Sequence, residues 1–324
     1  MLRLYTPQRL WELRDQRLRA RGEPALPPYN PLGDDYHAKL ATITKDLVLR
    51  SILYTPRHIE QPRGPQVVLG GIEAVRTLVT TRDLVGAFPR IGDDAAVKEM
   101  LAILAAEQAR IEKSERTDQF EVDRSIERIL AANNKTVQIM PQAVLHEFGN
   151  GAMATLDDYT AIIWPDEVRR FQRNTQGKFV GVGVQIEYNE VQNIRVVTPL
   201  EGTPAQRAGV LAGDVIKAID GKPAAGLSLD QAVDVITGPA GTDVVLTVER
   251  KDPEAGEDAT KDIDFRITRS VINITTVKGW KREGVREDDW NWFVDPESKI
   301  GYVRLLQFAD GTDEELRRAI AQMR

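Results

Sequence analysis

Phe179-Val180-Gly181-Val182-Gly183-Val184-Gln185-Ile186 marks the point where the chain changes character. Val182, Val184 and Ile186 alternate as a half-buried strand does. Gly181 and Gly183 stand either side of Val182, and such a pair lets several backbone N–H groups point into one concavity. A nest of that kind suits a carboxylate, because N–H donors around an anion make charge-assisted bonds. A dinucleotide-binding turn also begins with Gly-x-Gly, but here the third glycine is missing and no helix follows. A plain strand bulge fits the two glycines as well as the nest does.

From residue 177 to about 269 the sequence is Gly-punctuated, β-branched and alternating, as short strands are. Strands are expected at Ile194, Val196 and Val197, and at Val215, Ile216 and Ile219, which lead into the turn Asp220-Gly221. Two more are expected over 244–248 and at Ile263, Phe265 and Ile267, separated by a polar loop over 251–261. One helix interrupts them. Ser228 is placed as its N-cap, Gln231 completes the capping-box spacing, and Leu229, Ala232, Val233 and Ile236 form one stripe ending before Gly238-Pro239. A strand with such a helix beside it can take up an extended peptide as a further strand and hold its terminal side chain in an apolar pocket. Candidate donors to a peptide carboxylate are Val180, Gly181, Val182 and Gly183. Candidate pocket residues are Val184, Ile186, Leu229, Ala232, Val233 and Ile236. Arg173 and Lys178, just ahead of the turn, could add positive charge, although exposed basic residues are usually only solvated.

Upstream the pattern is mostly helical. A short helix and a linker with Pro24, Pro27, Pro28 and Pro31 come first, then weak helical spacing over 36–53 and a loop at Pro56, Pro62, Gly64 and Pro65. Ile72, Val75, Leu78 and Val79 fit a helix face; Asp93 or Asp94 caps the next, and another spans 122–130. Residues 136–139 read as a short extended piece, and Pro141 as the first turn of a helix. Downstream, Trp280, Trp290 and Trp292 sit in a charged loop that they anchor. A strand is expected over 300–308, and a helix opens at Thr312 with Glu315 as its capping-box partner. That helix pattern has no stop signal, which reads as an interrupted domain.

Composition narrows the function classes. The 324 residues are 42% hydrophobic and 28% charged, with net charge −6, enough for two cores and no basic block for nucleic acid. There is no cysteine, so disulfides, zinc-thiolate sites and thiol nucleophiles are excluded. No run of eighteen apolar residues and no secretory h-region occur, so a soluble chain without a membrane span is expected. His37, His58 and His146 are scattered, and Asp157-Asp158 and Asp288-Asp289 read as solvated turns, so no metal or cofactor is expected.

The run 198–222, with Thr203-Pro204-Ala205-Gln206-Arg207-Ala208-Gly209, Gly213-Asp214-Val215-Ile216 and Ile219-Asp220-Gly221, resembles the core of a PDZ domain. Its flanks resemble the carboxyl-terminal processing proteases, the tail-specific serine proteases. Phe148-Gly149-Asn150-Gly151 through Leu156-Asp157-Asp158-Tyr159-Thr160 and Trp164-Pro165-Asp166-Glu167 looks like the segment before that family's PDZ domain, with Asp158 where a proline is usual. Ile300-Gly301-Tyr302-Val303-Arg304-Leu305-Leu306-Gln307-Phe308 and the helix after Thr312 resemble the opening of its catalytic domain.

The resemblance implies an α+β fold. It would comprise an N-terminal helix and Pro-rich linker (1–35), a helical region (36–176), a PDZ domain (177–270), and a linker with the first strand and helix of an incomplete serine protease core (271–324). It also implies cleavage of substrates bound by their apolar C-termini, through a serine nucleophile and a lysine base, with the PDZ domain able to gate the site. Ser51, Ser114, Ser125, Ser228, Ser270 and Ser298 all lack the family's Gly-Ser-Ala setting. No catalytic residue is therefore carried over, and the chain is expected to be inactive alone. The implied partners are C-terminal protein tails and the implied compartment is the cell envelope. The rival is a non-catalytic PDZ adaptor using the same groove.

Overall fold

The computed structural model describes residues 1–54, 64–114, 118–252, 254, 259–284 and 289–324. Pro56, His58, Pro62, Asp288 and residues 253 and 255–258 of the polar loop lie outside the described residues. The fold is α+β, in two compact units: Met1–Arg14 with Asp34–Val168, and Asp15–Gly33 with Arg169–Arg324.

The first unit is helical. Its elements are α1 (Leu2–Tyr5), the start of α2 (Pro7–Ala20), α3 (Tyr36–Leu40), α4 (Lys45–Tyr54), α5 (Gly64–Thr80), α6 (Asp94–Glu112), α7 (Gln119–Lys135) and α8 (Pro141–Met153). Asp93 caps α6 by accepting from the N–H groups of Ala95 and Ala96. Gly64 and Pro65, expected in a loop, instead open α5, where the missing proline N–H costs nothing. Ile72, Val75, Leu78 and Val79 are buried as their spacing requires. Helices α5 and α8 meet backbone to backbone: a Cβ on Gly70 would collide with the Gly151 carbonyl, and one on Gly151 with that of Gly70.

Residues 136–139 are not extended. The Asn133 side chain donates to Ile139 O at 2.7 Å and accepts from its N–H at 3.0 Å, closing a turn in which Gln138 has φ +50°. Glu107 and Glu147 are buried, and each has its partners. Burial pushes the Glu107 carboxyl up, but donors from Arg110, Ser125 and Arg128 outweigh it and hold the group down at about 2. Glu147 accepts from the Tyr5 hydroxyl at 2.8 Å and lies 3.0 Å from His146 Nδ1, so His146-Glu147 forms part of a core network.

The second unit carries the strands: β1 (Lys178–Gly181), β2 (Val184–Tyr188), β3 (Ile194–Pro199), β4 (Val215–Ile219), β5 (Lys222–Pro223), β6 (Asp243–Lys251), β7 (Thr260–Thr268) and β8 (Ser270–Asn273). The helices α9 (Val168–Gln176), α10 (Pro204–Ala208) and α11 (Leu229–Ile236) are interleaved with them. The antiparallel sheet runs β2-β3-β4-β6-β7, with β5 added to β4 through the Asp220-Gly221 turn, where both residues have positive φ. Strand β1 leaves this sheet and pairs with β8, Gly181 opposite Ser270. The core beneath comprises Val182, Ile194, Val196, Ile216, Ile219, Val244, Leu246, Val248 and Ile267, closed by Ala232 and Ile236 of α11.

The remaining strands are short: β9 (Val277–Lys278), β10 (Lys281–Arg282), β11 (Trp290–Asn291), β12 (Phe293–Asp295), β13 (Ile300–Gly301) and β14 (Arg304–Leu305), followed by α12 (Thr312–Gln322). No single strand fills 300–308. Its two ends pair with different partners, β13 with β12 and β14 with β9. The expected capping box of α12 is also absent. Gly311 is the N-cap, the Thr312 hydroxyl accepts from Ala309 N–H, and Glu315 reaches across to the N–H groups of Thr276 and Val277. Trp292 anchors this region against Val277 and Ala319, and Trp290 packs beside it; Trp280 is 55% exposed and meets Tyr302 edge to face.

Candidate peptide-binding groove

The alternating run read over 182–186 is broken at its start. Gly181 ends β1, Val184 begins β2, and between them Val182 is buried while Gly183 turns at φ +82°. The carbonyls of this turn are held from inside the protein. Ala205 N–H donates to Val182 O at 2.9 Å; Leu200 N–H and the Thr203 hydroxyl donate to Gly183 O at 2.8 and 3.1 Å. In a trans peptide the N–H points opposite to its carbonyl. All peptides described here are trans, so the N–H groups of Gly183 and Val184 are directed away from the 200–205 turn. The positive φ allows this, and glycine meets no penalty for it. A Cβ on Gly183 would also collide with Cβ and Cγ2 of Thr203.

Strand β2 follows at the edge of its sheet, paired on one side with β3 alone. Helix α11 lies against it. The Ser228 capping box is complete: its hydroxyl accepts from Gln231 N–H at 3.1 Å, and the Gln231 side chain accepts from Ser228 N–H at 2.7 Å. The partners of α11 define its faces. Ala232 (0% exposed) and Ile236 (4%) go into the core. Asp230 and Asp234 meet Arg170 and Arg173 of α9, at 3.4 and 3.1 Å. Gln231 donates to the carbonyl of Leu32. At 100° per residue, Leu229 and Val233, both half-buried, fall between the core face and the α9 face. The end of α11 lies by the turn, since Thr237 Cγ2 is 3.3 Å from a Cβ built on Gly181. At the opposite end the Tyr188 hydroxyl donates to Leu227 O at 3.0 Å, tying β2 to the start of the helix.

Gly183, Val184 and Ile186 thus lie on the turn and the edge strand beside α11, where Leu229 and Val233 are half-buried; Val184, Ile186 and Leu229 pack against the core that contains Val182, Ala232 and Ile236. Val180 lies in β1 opposite Val271. Arg173 is spent on Asp234 and on the Thr237 hydroxyl, and Lys178 is exposed. Thr203, Thr237 and Arg269 carry no local sequence signal for a role at this turn; their long-range contacts alone place them there. A cleft of about 570 Å³ lined by Gln176, Lys178, Asn273, Asp310, Glu315 and Arg318 includes none of the groove residues.

The PDZ domain family model matches residues 195–250. A carboxy-terminal-processing protease of Bartonella bacilliformis is 36% identical over 179 residues, covering 55% of this chain and 36% of that protein. A carboxyl-terminal-processing protease of Synechocystis is 33% identical over 173 residues, 53% of this chain and 37% of the relative. The chain is a homologue of the carboxyl-terminal processing proteases. It spans about a third of the length of these curated relatives. Among solved structures, the peptide-bound PDZ domain of a Vibrio cholerae carboxy-terminal protease covers 30% of this chain and 99% of that one, at 23% identity and a TM-score of 0.26.

Thr203-Pro204-Ala205 lies within the residues the PDZ domain model matches and has a second role. Pro204 starts α10 at a position that needs no N–H, and the residues on either side of it supply the donors that fix the Gly183 turn. Among the described residues no group of three or more His, Asp or Glu side chains is placed to hold a metal ion, and no helix is long and apolar enough to cross a membrane.

Proposed function

We propose that the PDZ domain, residues 177–270, captures apolar protein C-termini for a serine-type C-terminal processing endopeptidase. The helical region (36–176) and the segment 271–324, the opening of a protease core, would flank it. One observation carries the reading: the edge strand β2 begins at a turn whose carbonyls are bonded inward, so that the Gly183 and Val184 N–H groups face outward beside α11. A tail laid antiparallel along β2 would gain main-chain hydrogen bonds, and its carboxylate would meet those N–H groups. Val184, Ile186, Leu229 and Val233 would line the pocket for the last side chain. The Tyr188–Leu227 bond closes the far end, which suits a short tail.

The processing of carboxyl termini named for the homologues supports proteolysis as the purpose of this capture. The test is isothermal titration of the chain with a hexapeptide ending Leu-Ala-Val, as free acid and as C-terminal amide. The acid is expected to bind at least about tenfold more tightly, the worth of one or two hydrogen bonds to a charged group. Equal affinities would overturn the reading.

A further inference from the structure

Arg269 lies between β7 and β8 and is buried, with 8% of its surface exposed. Four of its five guanidinium N–H donors are engaged, all with neutral acceptors. Nε donates to Ile236 O at 2.9 Å and Nη2 to Val235 O at 3.1 Å; Nη1 donates to the Thr242 hydroxyl at 2.9 Å and to Asp243 O at 2.7 Å. Among the described residues no carboxylate forms an ion pair with it. The nearby acids are occupied elsewhere: Asp234 pairs with Arg173, and the Asp243 carboxylate accepts from the Thr268 hydroxyl and lies 3.5 Å from Arg266. A buried cation without a counter-charge is costly, and proteins usually pair one.

Its position relates this cation to the groove. Arg269 covers the last carbonyls of α11, the negative end of that helix. The next residue of the same turn, Thr237, touches the Gly181 position, and Ser270, adjacent to Arg269, is the strand partner of Gly181. An anion arriving at the Gly183 turn therefore comes beside a helix C-terminus, which on its own would repel it. The guanidinium reverses that local sign.

We propose that Arg269 is an electrostatic positioning residue for tail capture: its buried charge offsets the C-terminal end of α11 and draws the peptide carboxylate to the Gly183–Val184 turn without touching it. The inference rests on the groove reading above and goes beyond it by assigning the acid preference to a residue outside the groove. Arg173 cannot supply the field, since its charge is offset by Asp234. A source at exposed Lys178 would be strongly screened by salt, whereas a buried charge is screened far less.

The experiment measures the ratio of acid to amide affinity, with the same Leu-Ala-Val hexapeptide pair, in the wild-type chain, in Arg269→Met and in Arg269→Lys. The methionine variant is expected to lose about tenfold in that ratio while its affinity for the amide is unchanged. The lysine variant keeps the charge but not the forked hydrogen bonds, so its ratio should stay within about threefold of wild type even though the domain is less stable. A merely structural role would lower both affinities together and leave the ratio alone, and that result would overturn the proposal. Should Arg269→Met fail to fold, the wild-type ratio between 20 and 500 mM NaCl decides on the order of magnitude: near constancy supports the buried charge, and collapse towards unity refutes it. A wild-type chain with no acid preference would instead remove the groove reading underneath.

Discussion

Gly183→Val is expected to abolish binding of a free-acid tail, weakening it by about a hundredfold or more, while far-UV circular dichroism stays that of the wild type. Two independent effects act at this position. The backbone holds φ +82°, where a β-branched residue is strained by a few kcal/mol. The new side chain would also enter the space of Thr203 Cβ and Cγ2, atoms fixed by the start of α10 and by the hydroxyl bonds to Gly183 O and Leu200 O. Relief requires the turn to rotate, and rotation swings the Gly183 and Val184 N–H groups off the place where a carboxylate would sit. Gly183→Ala should fall between, at about tenfold, since it keeps the strain with a smaller clash. Binding by the valine variant within about threefold of wild type would show that this turn does not hold the tail.

Asp214→Ala is expected to have the largest effect on stability in the same unit, a loss of about 3 kcal/mol in urea titration. Asp214 is 1% exposed and receives two bonds from Arg250, both 2.7 Å, and one from Leu211 N–H at 2.8 Å. It therefore ties the turn after α10 to β6. Arg250 also donates to Gly209 O and stands over the Phe265 ring, so its guanidinium would lose its counter-charge while still partly buried. Asp214→Asn keeps an acceptor for Leu211 but places an amide against the guanidinium, and should recover less than half of the loss. A change below about 0.5 kcal/mol in the alanine variant would mean that Arg250 finds water at no cost.

What could be read from sequence was what depends on residues a few positions apart. The Ser228–Gln231 capping box, the Asp93 cap, the Asp220-Gly221 turn and the proline opening α8 all formed where their spacing placed them. The failures share a different cause. Thr312 and Glu315 have capping-box spacing, but Glu315 finds better partners in the backbone of Thr276 and Val277. Residues 300–308 have strand composition, yet their ends are claimed by two different strands.

The groove divides in the same way. Gly-x-Gly could be seen, although not whether it formed a nest or a bulge, because that depends on Thr203 and Ala205 about twenty residues on. The α11 stripe could be seen too, but the partners of Asp230, Gln231 and Asp234 turn Ala232 and Ile236 into the core and leave Leu229 and Val233 half-buried. A lone arginine ending a strand, such as Arg269, carries no local signal; only its burial on the end of α11 distinguishes it.

The most direct measurement is the amide proton spectrum of the ¹⁵N-labelled chain titrated with the Leu-Ala-Val hexapeptide as acid and as amide. With the acid, the Gly183 and Val184 amide protons should move strongly downfield, as protons donated to a carboxylate do, and the amide peptide should leave them nearly in place. Acid-induced shifts that spare these two residues while perturbing other parts of the chain would contradict carboxylate capture at this turn.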